Sequence, residues 1–466
     1  MSRAHEAGTM HADQGHRGPA WLRAPEDVNA IVPALWPRNV AKDGNGELTV
    51  AGLRVKQLAE EFGTPLYVVD EQDLRSRCRE FIEGFAGWDV YYAGKAFLCV
   101  EVAKWIEQEG LGLDVCSGGE LAVALKAEFP PERITFHGNN KSENELARAI
   151  DAGIGRIVVD SFDEIARIAK LATDRNTTAR VLVRVTVGVE AHTHEYIATA
   201  HEDQKFGFSL AGGHAHDAVE RVLKEPSLEL RGLHSHIGSQ IYDTSGFEVA
   251  AKRVVGLFTE IRDTHGITLP ELCLGGGFGI AYTTQDDPQP PSKLAQGMND
   301  IVEHECKAYG VEKPRMSIEP GRAIAGPAVF TLYEVGTVKP VELDAGASRN
   351  YVAVDGGMSD NVRTALYDAE FSCTLASRKS DAQPTLSRVV GKHCESGDIL
   401  VKDEFLPADV TPGDLLAVPA TGAYCRSLAS TYNHVPKPAI VAVDNNQARV
   451  IVRRETEEDL LRLDVW

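Results

Sequence analysis

No run of about 18 apolar residues, the length that crosses a bilayer, occurs in the 466-residue chain. No Cys-x-x-Cys pair occurs either. The eight cysteines, at 78, 99, 116, 273, 306, 373, 394 and 425, are scattered, which excludes a zinc ribbon and points to reduced thiols rather than a disulfide framework. The first residues carry no secretory signal pattern, so a cytoplasmic protein is expected. Basic charge is in deficit: 48 Lys and Arg against 68 Asp and Glu give a net charge of −20. Neither nucleic acid nor an anionic membrane is therefore expected as a partner. What is present is 43% hydrophobic residues in a chain long enough for a full α/β barrel and a second domain.

Residues 1–25 lack periodicity and are expected to form a disordered tail. Its His5, His11 and His16 have no ordered carboxylate or thiol partners, so no metal is expected. From about residue 65, short β-branched or aromatic runs alternate with stretches of helical apolar spacing. Eight strands are expected at 89–92, 111–116, 133–137, 156–160, 180–187, 228–236, 271–275 and 315–319. Helices are expected at 101–108, 119–128, 142–152, 162–172, 211–224, 247–264 and 293–309, with a Ser142/Glu145 capping box at one start. Lys95, His137, His236, Gly275 to Gly279 and Glu319 to Arg322 fall at or just past the carboxyl ends of strands. A (β/α)8 barrel over 65–327 gathers those ends around one opening, whereas an open sheet scatters them. Beyond it, runs at 329–338, 351–354, 386–390, 415–418, 439–443 and 449–452 predict an all-β domain over 328–466. Residues 26–64, with a strand near 46–53, are expected to pack with it.

Lys95, in Tyr92-Ala93-Gly94-Lys95 after the first strand, suits a Schiff-base amine at the barrel mouth. Leu274-Gly275-Gly276-Gly277-Phe278-Gly279 bares backbone amides where barrels hold phosphate; its plainer reading is a tight turn. Glu319-Pro320-Gly321-Arg322 supplies a carboxylate, a rigid turn and a guanidinium, which elsewhere form a simple ion pair. Amine, phosphate cradle and acid together suggest pyridoxal phosphate. An acid at the ring nitrogen keeps it protonated, which favours decarboxylation through a quinonoid. His234 and His236 share one strand face, and His236, nearer the mouth, is placed to stack on a flat ring.

Through these motifs, His236-Ile237-Gly238-Ser239-Gln240, Asp355-Gly356-Gly357-Met358-Ser359-Asp360 and His393-Cys394-Glu395-Ser396-Gly397-Asp398, the chain resembles the diaminopimelate decarboxylases, within the barrel class that also includes alanine racemase. The resemblance spans about residues 40 to 440. It implies an alanine racemase-like fold, a barrel with a C-terminal β-sandwich or barrel domain. Lys95 is then the residue joined to pyridoxal 5′-phosphate, with His236, Ser239, Gly277, Glu319, Pro320, Gly321, Arg322 and Tyr424 as cofactor contacts. Arg322, Arg363, Tyr367, Glu395 and Tyr424 would hold the substrate, and Cys394 would be the proton donor. Cys394 and Glu395 would reach the partner's active site in a homodimer. The implied reaction is decarboxylation of meso-2,6-diaminopimelate at its D-centre to L-lysine. Read from the residues alone, Arg363 and Tyr367, four apart, fit one helical face, although a surface arginine is the commoner case, and an inert buried thiol is the usual role of a free cysteine such as Cys394. Two arginines favour a distal carboxylate over the amine of ornithine or arginine, the alternative substrates. A racemase is disfavoured by the acidic ring partner, and a noncatalytic binding protein has no need of Lys95, the glycine run and Cys394 together. Residues 192–209 read as a long loop containing Lys205-Phe206-Gly207-Phe208, placed to cover the site.

Overall fold

The computed structural model describes residues 18–188, 205–343 and 348–465. The three tail histidines and most of the 192–209 loop lie outside them. The chain divides into two compact units, one of Arg75–Ile280 with Pro288–Ile324, the other of Met1–Leu74, Ala281–Asp287 and Ala325–Trp466. No helix among the described residues is long and apolar enough to cross a membrane.

The first unit is a closed barrel of eight parallel strands: β1 (Asp89–Ala93), β2 (Gly112–Val115), β3 (Ile134–Phe136), β4 (Arg156–Val159), β5 (Ala179–Thr186), β6 (Leu228–His234), β7 (Glu271–Cys273) and β8 (Arg315–Ile318). Each pairs with the next, and β8 closes on β1 through Ser317 opposite Asp89 and Ile318 opposite Val90. Strand cores such as Ile-Val-Val at 157–159 are fully buried, as β-branched side chains in a doubly covered sheet should be. Helices follow the strands at the expected places, each laying an apolar stripe on the barrel, for example Ile165, Ile168, Ala169 and Ala172 of Phe162–Asp174.

The loops at the carboxyl ends of β2, β3 and β4 share a cap. Ser117, Ser142 and Ser161 each accept the backbone N–H three residues on, from Glu120, Glu145 and Glu164. The same glutamates accept the N–H of Cys116, Ser142 and Asp160. Each hydroxyl cap contributes about 1 kcal/mol and fixes where its loop leaves the strand. At the opposite barrel end, buried Glu271 is held by Arg156 and Arg231.

In the second unit, the strand Val329–Glu342 pairs with Leu66–Asp70 and Leu415–Val418 along its first part and with Ser348–Val354 along its second. Pro384–Val390, Ile399–Pro407, Ala439–Asp444 and Gln447–Val452 extend this sheet. Leu66–Asp70 lies between Val329–Glu342 and Ala439–Asp444, so the stretch from 65 is sheet rather than barrel, and its five buried residues reflect neighbours on both sides. Ile399–Pro407 escaped the sequence reading because Lys402-Asp403-Glu404 interrupts its apolar run. These charges are accommodated by pairing: Asp403 with Arg349 and Arg388, Lys402 with Asp368. The Leu48–Val50 strand joins a small antiparallel sheet, and Leu48, Val50 and Leu53 share a core cluster with Phe330, Leu332 and Val441.

Candidate active site

Backbone hydrogen bonding continues past the strand ends and sets the loops of the barrel mouth against one another. Gly94 N–H donates to Asp114 O (3.0 Å), Ala93 N–H to Pro320 O (3.2 Å), Glu319 N–H to Gly275 O (2.9 Å) and Ile241 N–H to Gly277 O (2.9 Å). The glycine run is a steric requirement of this stitching. A Cβ on Gly276 would sit 2.1 Å from the carbonyl oxygen of Glu319, and one on Gly277, whose φ is +103°, 2.3 Å from that of Gly238.

Glu319, just past β8, is the hub. Its Oε1 lies 3.1 Å from His137 Nε2 and accepts from Cys273 Sγ at 3.1 Å, while Oε2 lies 3.1 Å from His234 Nε2. Asp114 Oδ1 lies 3.7 Å from the same His137 nitrogen, and the His137 and His234 rings meet edge to face at 4.9 Å. Burial favours the protonated form of Glu319, yet His234 and His137 hold it well below the usual carboxylate range. Burial pushes His234 down to about 4, so it is a neutral donor. Burial also opposes charge on His137, but Glu319 and Asp114 outweigh it and raise the imidazole to about 9. Burial and the Glu319 charge lift Asp114 to about 7. Near neutrality the cluster is therefore an ionised Glu319 and a partly ionised Asp114 around the His137 imidazolium.

Around this hub stand the other barrel residues singled out above. Lys95, two positions past β1, is exposed, and its charge acts on Asp114, Cys116, Glu120 and His236. His236 Nδ1 accepts the Gly276 N–H at 3.3 Å, which fixes the ring against the glycine loop; burial and Lys95 hold it well below its ordinary value, hence neutral. Arg322 Nη2 donates to Ser239 Oγ at 2.9 Å, and Gly321 packs on Ala93. No role for His137 is legible in the sequence, and neither Asp114 nor Arg184 stands out there as a site residue. Arg184 is a half-buried cation on β5 whose guanidinium lies 4.5 Å from the Phe206 ring centroid, beside Asp160. The available signal was a single charge flanked by apolar β-formers, Leu113-Asp114-Val115 and Val183-Arg184-Val185.

This set fits pyridoxal phosphate. It offers a reachable amine, a cradle that a side chain would fill, a neutral imidazole and a half-buried carboxylate held in its ionised form.

Arg363, Tyr367, Cys394, Glu395 and Tyr424 belong to the sheet-bearing unit. Arg363 is 6% exposed, its guanidinium lies 4.7 Å from the Tyr282 ring and 5.6 Å from that of Phe371, and its Nη1 has no hydrogen-bond partner. Tyr367 is 63% exposed. Tyr424 is half-buried with a left-handed backbone. Cys394 and Glu395 are exposed at the tip of a hydrogen-bonded loop. Asp398 accepts the N–H of Met358 (2.6 Å) and His393 (2.8 Å); His393 Nε2 meets Ser359 Oγ (2.8 Å), and Asn433 Oδ1 accepts the Cys394 N–H (3.3 Å). The loop thus presents the Cys394 thiol on a fixed backbone.

Residues 71–326 match the family model described as pyridoxal-dependent decarboxylase, pyridoxal binding domain. The chain is 58% identical over 443 residues to diaminopimelate decarboxylase of Mycobacterium tuberculosis, covering 93% of this chain and 98% of that protein. It is 47% identical to the Bacillus subtilis protein of the same name, over 90% of this chain and 96% of that one. Among solved structures, diaminopimelate decarboxylase from M. jannaschii in complex with L-lysine superposes with a TM-score of 0.85 at 31% identity, over 92% of this chain and 98% of that chain.

Proposed function

The chain belongs to the diaminopimelate decarboxylases, within the pyridoxal-dependent decarboxylases, and from that membership we propose how its residues divide the work of converting meso-2,6-diaminopimelate to L-lysine and carbon dioxide. The enzyme is a pyridoxal 5′-phosphate-dependent carboxy-lyase, and we infer that it acts at the D-centre of its substrate, so that the product retains the untouched L-centre. When bound, the cofactor supplies an electron sink for the pair released as the bond from Cα to the carboxylate breaks.

Lys95 provides the ε-amine that carries the cofactor. Gly277 and the Glu319-Pro320-Gly321-Arg322 turn, with Ser239, supply phosphate-side contacts from backbone and side chain. His236, neutral and fixed by Gly276, would pack against the cofactor's ring, and Glu319 would serve its nitrogen as a carboxylate. Tyr424 completes the cofactor and substrate contacts. Arg322, Arg363, Tyr367 and Glu395 hold the far end of the substrate. The buried Arg363 guanidinium with an unpaired Nη1 supports a distal carboxylate, which ornithine and arginine lack. Cys394 Sγ delivers the proton to Cα after carbon dioxide has left. Its exposure on the 393–398 loop supports a role across a homodimer interface, with Cys394 and Glu395 serving the partner's site. Eight free thiols support a reducing, cytoplasmic setting.

The observation that carries the cofactor assignment is the Glu319 carboxylate, held 3.1 Å from both His137 and His234 beside the glycine cradle, in the barrel mouth that also bears Lys95. Purified protein with added pyridoxal phosphate should release carbon dioxide from meso-diaminopimelate, and Lys95→Ala should abolish release; undiminished turnover in that variant refutes the assignment. Mixing Lys95→Ala with Cys394→Ala chains should restore about one quarter of wild-type activity if sites are shared between random dimers, and none if each chain completes its own.

A further inference from the structure

Glu319 is asked to stay charged in a place where burial alone would protonate it. The compensation comes from outside β8. His137, from the end of β3, places Nε2 3.1 Å from Glu319 Oε1 and 3.7 Å from Asp114 Oδ1. Asp114, from the end of β2, is 3% exposed, and His137 is 7% exposed. His234, from the end of β6, supplies a further contact to Glu319 at 3.1 Å. Three strands thus converge on a carboxylate borne by a fourth.

We propose that His137 is a positioning residue: clamped as an imidazolium between Glu319 and Asp114, it keeps the Glu319 carboxylate charged and aimed for the cofactor's ring nitrogen, and Asp114 is the counter-charge that retains the proton on His137. The inference rests on the cofactor assignment above. It explains why a buried aspartate stands on β2 with no hydrogen-bond partner for Oδ1. Without Asp114, one imidazolium would answer one carboxylate at full desolvation cost. With it, His137 sits between two acids and stays charged across the neutral range, its imidazole raised to about 9. The other charged and titratable groups acting on the cluster are Lys95 from the β1 loop, Cys116 and Glu120 from beyond β2, Arg184 from β5, His236 beyond β6, and Cys273 from β7. Lys95 and Arg184 are cations, and the thiol of Cys273 is held neutral by burial and Glu319. None of these replaces the imidazolium in contact with Glu319.

The test uses holoenzyme loaded with cofactor carrying ¹⁵N in the ring. In the wild type the ring resonance should lie at the protonated, pyridinium end. In His137→Asn, which keeps a polar side chain but removes the charge, it should move toward the neutral pyridine end, and kcat and kcat/KM should fall together by roughly tenfold or more. Asp114→Asn should move it less, and the double variant no further than His137→Asn. An unmoved resonance in a folded, loaded His137→Asn overturns the proposal. If that variant does not fold or load, Asp114→Asn and the wild type decide it: the wild-type resonance should hold steady through neutrality and shift as pH passes about 9, and a flat response in both overturns it. Failure of the wild type to bind labelled cofactor at all would instead sink the cofactor assignment, a separate outcome.

Discussion

Replacing Gly276 by alanine is expected to damage both stability and cofactor binding through one contact. The new Cβ would lie 2.1 Å from the Glu319 carbonyl oxygen and 3.0 Å from its carbon, where an ordinary contact is about 3.4 Å or more. Neither side yields easily. Glu319 N–H is bonded to Gly275 O at 2.9 Å, Ala93 N–H to Pro320 O at 3.2 Å, and the Glu319 side chain is fixed by His137, His234 and Cys273. Relief requires the β7 and β8 loops to part by about 1 Å, enough to break the backbone bond between them. Overpacking costs about 1–3 kcal/mol and a lost buried hydrogen bond about 1 more, so a loss of about 3 kcal/mol is expected. The displaced carboxylate should also weaken cofactor affinity on the order of tenfold or more. Urea denaturation of the apoprotein measures the first effect and fluorescence titration with pyridoxal phosphate the second. Gly44→Ala, where no atom lies within 4 Å of the added carbon, is the control. A Gly276→Ala variant indistinguishable from that control in both assays refutes the reasoning.

Three further outcomes follow from other parts of the molecule. Asp403→Ala strands buried Arg349 and Arg388 without their acid and should cost about 3–5 kcal/mol in urea denaturation while leaving the cofactor absorbance of the loaded enzyme unchanged. Arg363→Gln removes the buried guanidinium whose Nη1 lacks a partner, so steady-state kinetics should show KM for meso-diaminopimelate rising by about tenfold or more with a smaller change in kcat. Because His137 is raised from its ordinary value to about 9, its contribution to apoprotein stability is fully present below about pH 6.5 and is lost as pH rises through 9, at most about 3 kcal/mol. Urea midpoints across that window should fall in the wild type and flatten in His137→Asn.

Local pattern carried most of the architecture. Eight β-branched or aromatic runs, the first seven each followed by a helix-forming stretch, marked the barrel strands to within one or two residues, because strand and helix periodicities are properties of neighbouring residues. Position just after a strand also pointed to Lys95, His236, the glycine run and Glu319, since a parallel barrel collects carboxyl ends by geometry. Arg363, Cys394 and Tyr424 were not legible in that way. Arg363 opens the short helix Arg363–Tyr367, Cys394 and Tyr424 sit in a bend and a turn of a sheet-bearing unit, and only likeness to a family pointed to them.

Relations between distant segments belong to the folded molecule. Leu66–Asp70 reads as a strand anywhere, but its place between Val329–Glu342 and Ala439–Asp444 is a long-range pairing that no local pattern encodes. Lys402-Asp403-Glu404 reads as a break until Arg349, Arg388 and Asp368 arrive to neutralise it. The charge on Glu319 depends in the same way on Asp114, His137 and His234, which lie 205, 182 and 85 positions away in the chain. Protonation is set by burial and by charges a few ångströms off. Those distances exist only once the barrel has closed.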